Sequence, residues 1–137
     1  MTGETDLSRL LQSMTPQLNP GQYVFCCVAA DHDCSALHPI ASLRETEGLS
    51  LVLPRDVADA HGLRYDYIAA WITLQVHSSL AAVGLTASFS AALAQAGVSC
   101  NVVAGFHHDH IFVPIERAER ALSTLRALSA AAMPEPV

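Results

Sequence analysis

The segment from Ala41 to Pro54 aligns with Asn101 to Pro114 without a gap, at an offset of 60 residues. Each copy ends by running a strand straight into a proline, Leu51-Val-Leu-Pro54 in one and Ile111-Phe-Val-Pro114 in the other. A chain that repeats a unit in this way solves one folding problem twice, so its two halves are expected to share a fold. Leading strands at Tyr23 and Trp71 extend the match, but the second half is longer between its first and second strands. The excess is about the length of one short helix, Thr86 to Ala96, which the first half replaces with the loop Ala30 to Pro39. The boundary falls near residue 67, giving halves 1–67 and 68–137.

The second half shows the unit most completely. From Ala70 to His77 the chain alternates, with Trp71, Thr73 and Gln75 on one face and Ile72, Leu74 and Val76 on the other, as a strand requires. A polar bend at Ser78 and Ser79 follows. Leu85, Phe89, Ala92, Leu93 and Ala96 then recur at helical spacing, and Gly97 stands where a left-handed C-terminal cap belongs. Strands are expected at Ser99 to Gly105 and His110 to Val113, with a turn at His107 to Asp109, and a helix over Ile115 to Ser129. This β-α-β-β-α order predicts an α+β fold, a ferredoxin-like sandwich whose antiparallel sheet carries its helices on one face.

In the first half, Thr5 is the expected N-cap of a short helix carrying Leu7, Leu10, Leu11 and Met14, with Asp6 in its first turn. Asn19-Pro-Gly21 reads as a turn. Tyr23 to Val28, apolar on both faces, reads as a central strand. A hairpin turning at Glu47-Gly48 joins Ala41–Thr46 to Leu49–Leu53. Pro54 opens a helix that Gly62 closes.

Three sets of residues resemble the small bacterial tandem ACT-domain proteins, relatives of the arginine-sensing CASTOR proteins. They are His77-Ser-Ser-Leu-Ala-Ala-Val-Gly-Leu-Thr86, Ser99-Cys-Asn-Val-Val-Ala-Gly105 and Asp109-His-Ile-Phe-Val-Pro114. Gly21-Gln-Tyr-Val-Phe-Cys26 and Gly48-Leu-Ser-Leu-Val-Leu-Pro54 carry the likeness into the first half. The resemblance implies a regulatory, non-catalytic, amino-acid-binding protein without a cofactor. In ACT domains the loop after the first strand holds the ligand, often through an Asp and a Pro-Gly pair. Carried over, that role falls on His77, Ser78, Val83, Gly84, Leu85 and Thr86, with Asn101 and Val102 on the neighbouring strand; here Val83 stands where Pro is common. Backbone N–H groups at the start of a helix suit a carboxylate independently of any family. The alternative is an interaction module that presents sheet edges to a protein partner, or to a second copy.

Other chemistry is poorly supported. A net charge of −6 argues against nucleic acid or an anionic membrane as partner. No apolar run reaches the length of a membrane span, and Met1 to Asp6 is unlike a secretory signal, so a cytoplasmic protein is expected. Asp31, His32, Asp33, Cys34 and His38 include metal-ligating types, but their spacing fits a turn-rich loop better than a closed site. His107, His108, Asp109 and His110 sit on a hairpin tip, where consecutive side chains diverge; only His108 and His110 share a face. No metal site is therefore expected. Cys100 with His77 lacks a third, orienting group for nucleophilic catalysis.

Overall fold

The computed structural model describes residues 6–76 and 79–132. The chain forms α1 (Leu7–Ser13), β1 (Thr15–Val28), β2 (Ala41–Glu45), β3 (Gly48–Pro54), α2 (Arg55–Ala60) and β4 (Ile68–Gln75). It continues through α3 (Leu85–Gln95), β5 (Asn101–Ala104), β6 (Asp109–Pro114), a 3-10 turn (Ile115–Arg117) and α4 (Ala118–Ala131). The architecture is α+β, with antiparallel strand pairs and packed helices. By compactness it divides into two units, one of residues 1–19 and 71–137 and the other of residues 20–70.

In the unit of residues 20–70 the strand order is β2-β3-β1. Val24, Cys26, Val28, Leu51, Leu53 and Ala58 form its core, sealed by Leu37 from the loop before β2. Within Tyr23 to Val28, Val24, Cys26 and Val28 are buried on one face, while the other is buried at Tyr23 and exposed at Phe25 and Cys27. Residues 29–40 hold turns and no helix. α2 ends as expected, with the N–H of Gly62 on the Asp59 carbonyl and that of Leu63 on the Ala58 carbonyl.

In the other unit the order is β1-β4-β6-β5. Ile72, Leu74, Ile111 and Val113 are fully buried beneath α3 and α4, which bring Phe89, Leu93, Ala121 and Leu125. α1 packs on both helices through Leu10. Its N-cap is Asp6, whose carboxylate accepts the Arg9 N–H at 3.2 Å; the expected cap, Thr5, lies outside the described residues. The expected turn at Asn19 does not form. β1 runs through it, held by the Asn19 amide, which donates to the Trp71 carbonyl at 3.2 Å and to Thr73 Oγ1 at 2.9 Å.

The repeat reappears in strand register. β2 and β3 pair Ala41 with Val52 and Arg44 with Leu49. β5 and β6 pair Asn101 with Phe112 and Ala104 with Asp109. Aligning Ala41 with Asn101 makes each of these pairs superpose on its counterpart.

Candidate functional site

The bend between β4 and α3 begins at Val76. Of the residues assigned to it by resemblance, His77 and Ser78 lie outside the described residues. The Ser79 hydroxyl accepts the Ala81 N–H at 3.1 Å, and the Ser79 carbonyl accepts the Ala82 N–H at 3.0 Å, forming a tight turn. Leu80 and Val83 then face outward, 70% and 83% exposed. Gly84 caps α3 at φ 101°, a left-handed conformation that costs an L-residue but not glycine. A Cβ there would also stand 3.1 Å from Leu7 Cδ2. Leu85 sends its side chain into the core while Thr86 stays exposed.

Among the described residues no side chain caps this helix. The first-turn N–H groups of Leu85 and Thr86 therefore sit at the positive end of an eleven-residue helix, available to an anion. Asn101 and Val102 open β5, which runs beside β6 and pairs its Ala104 with Asp109. β5 begins after the C-terminal end of α3, about 16 Å along the helix from Gly84 at 1.5 Å per residue.

β6 begins at Asp109, at the same end of the unit as the bend. Thr73 meets His110, while Trp71, two residues earlier, stacks on Phe112 at 6.2 Å. As β4 advances β6 retreats, so Asp109 lies level with the last residues of β4, at the end of the unit where the bend begins. Strand alternation puts Asp109 on the side of Ile111 and Val113, beneath the helices, and away from His110. Its side chain is 9% exposed, and among the described residues nothing hydrogen-bonds its carboxylate. Burial pushes its pKa up, against a smaller downward pull from His110. A largely buried carboxyl loses hydration, a cost that a cation or a donor beside it would offset. The turn expected over His107 to Asp109 stops short of Asp109, which pairs with Ala104 as the first residue of β6.

The other candidates resolve into ordinary structure. In the loop of residues 30–39, Asp33 accepts the Ser35 N–H at 3.0 Å and the His32 N–H reaches the Ala29 carbonyl at 2.9 Å, both local turns. No group of three or more His, Cys, Asp or Glu among the described residues is arranged to hold a metal. Burial pushes the Cys100 thiol up to about 11, which leaves it protonated near neutrality and a poor nucleophile. A cleft of about 570 Å³ beside Tyr23, Pro54 and Arg55 is open to solvent. Its Arg55 guanidinium already donates to Tyr65 at 2.9 Å and to Gln22 at 2.8 Å, with Asp59 at 3.9 Å, so its charge is matched from within.

ACT domain families match residues 2–70 and 67–127. A crystal structure of a Vibrio cholerae protein of unknown function, described as a possible transport protein, is 51% identical over 90% of this chain and 95% of its own, with a TM-score of 0.82. An Agrobacterium tumefaciens protein is 20% identical over 85% of this chain and 89% of its own, at a TM-score of 0.66. The regulatory subunit of aspartate kinase from Thermus flavus shares the fold at 11% identity, over 83% of this chain and 96% of its own, at 0.62. No curated protein matches. No helix among the described residues is long and apolar enough to cross a membrane.

Proposed function

This chain belongs to the ACT-domain family, and on that footing we propose that it is a non-catalytic sensor whose ligand is a free amino acid. ACT membership supports a regulatory, ligand-binding role. The observation that narrows the ligand is Asp109, a buried residue whose carboxyl has no hydrogen-bond partner among the described residues, at the same end of its unit as the start of α3. An α-amino acid offers what each lacks. Its carboxylate takes the N–H groups at Leu85 and Thr86. Its ammonium, or a cationic side chain, pairs with Asp109 and removes the penalty of burying that charge alone. His77, Ser78 and the exposed Val83 would flank the bound molecule. The role is to report on metabolite level through conformation or association, in the cytoplasm.

A thermal-shift screen of the common amino acids, repeated on Asp109→Asn, tests the proposal. A stabilising amino acid whose effect disappears in the variant supports it. The interaction-module reading has one observation in its favour, the unit-edge strand β2, whose Leu43 is 66% exposed. It gains if no metabolite shifts the melt and a protein partner is recovered that Leu43→Glu releases.

A further inference from the structure

On the sheet face away from Ile72 and Ile111, β4 and β6 build a polar chain that the ligand site does not use. The Trp71 indole Nε1–H donates to His110 Nδ1 at 3.0 Å, and the two rings lie 5.7 Å apart, tilted by 47°. Thr73 Oγ1 approaches the same Nδ1 at 3.2 Å. Behind it, the Asn19 amide from β1 donates to Thr73 Oγ1 at 2.9 Å. Thr73 is buried at 8% exposure, while Asn19, Trp71 and His110 are half-buried.

Donor chemistry fixes the tautomer. An indole nitrogen donates and never accepts, so His110 Nδ1 must carry its lone pair and its proton must reside on Nε2. The Thr73 hydroxyl is adaptable: it can donate to a neutral His110 or accept from a charged one. Trp71 has no such freedom. A proton on Nδ1 sets two N–H groups against each other at hydrogen-bond distance, and one ring must leave.

We propose that Trp71 and His110 form a proton-operated latch, closed while His110 is neutral and opened when Nδ1 takes a proton, with the indole ring as the moving part. The groups that act on His110 are few. On its own strand and turn, His108 disfavours the charged form and Asp109 favours it, while burial disfavours it. β4 faces it with uncharged Trp71 and Thr73, β5 with Val103 as its register partner, and β1 with Asn19. The turn backbone closes the other side, since a Cβ on Gly105 would lie 3.3 Å from His110 Nε2. With burial and His108 both opposing the proton, the latch opens below the ordinary histidine range, as local acidification would require.

Trp71 is the chain's one tryptophan, so its emission reads the latch directly. The full-length protein is titrated from about pH 8 to about pH 4 with far-UV circular dichroism as the check on folding. The expected result is a single-proton step in emission below the usual histidine midpoint, lost in His110→Gln, whose amide oxygen still accepts from the indole. The step should move to higher pH in His108→Gln and to lower pH in Asp109→Asn, which separates it from titration of Asp109 itself. A flat emission profile in the folded protein, or a step that survives in His110→Gln, overturns the latch. Should His110→Gln fail to fold, the wild-type imidazole nitrogens read by NMR decide: His110 carrying its neutral-state proton on Nδ1 rather than Nε2 also overturns it.

Discussion

Pro54 and Pro114 hold the same backbone conformation, φ −55° and ψ 138° in one and φ −54° and ψ 138° in the other, each as the last strand residue before a helical turn. With the matching hairpin registers, this supports an origin by duplication, for which we infer halves 1–67 and 68–137. The compact units do not follow those halves, because α1 and Thr15–Asn19 belong to the unit that holds the second copy. A fragment of residues 68–137 loses Leu10 and Met14 from its helix layer and is expected to melt without a cooperative transition. In the whole chain, Leu10→Ala should cost about 2–5 kcal/mol, measured by urea denaturation. A cooperatively folding fragment contradicts this division of the core.

The hairpin turn of the first half depends on Gly48. A Cβ there would meet the Val28 carbonyl oxygen at 2.5 Å, against backbone that cannot move without breaking the β1–β3 pairing. Gly48→Ala should destabilise by more than about 1 kcal/mol, read as a lower urea midpoint at unchanged slope. A neutral substitution would mean that the strand pair shifts freely.

Most elements were legible in the sequence because period and punctuation agreed: the Trp71 strand, the α3 stripe ending at Gly97 and the Pro54 helix all stand where their residues put them. Misreadings came where distant groups overrule local signals. Asn19-Pro-Gly21 looks like a turn, but the Asn19 amide finds partners on β4, fifty residues on, and the strand continues. Phe25 and Cys27 are apolar yet exposed, and hydropathy alone does not tell which face of a strand is covered. The helix start at Gly84 was readable as an anion site from its chemistry. Asp109 was not, since only strand register shows that it turns inward while its histidine neighbours do not.

Asp109 gives a pH prediction with a definite sign. Its folded-state pKa is raised by burial, so the folded protein holds its proton more tightly than the unfolded chain. Stability is then fullest below the unfolded carboxyl pKa and is lost as pH rises through the folded one. Without ligand, Asp109→Asn should melt higher than wild type near neutrality, and the gap should close in acid. A variant that melts lower at neutral pH would show that the ionised carboxylate has a stabilising partner in the free protein.

The most direct measurement is the melting temperature of wild type and Asp109→Asn with each common amino acid at millimolar concentration. An amino acid at about 100 times its dissociation constant stabilises by roughly 2.7 kcal/mol. For a chain of this length that is a rise of about 5–10 °C. The account predicts such a rise for wild type and none for Asp109→Asn, with the variant folded by circular dichroism and at least as stable alone. Equal shifts in both proteins, or no shift in wild type with any amino acid, would contradict it.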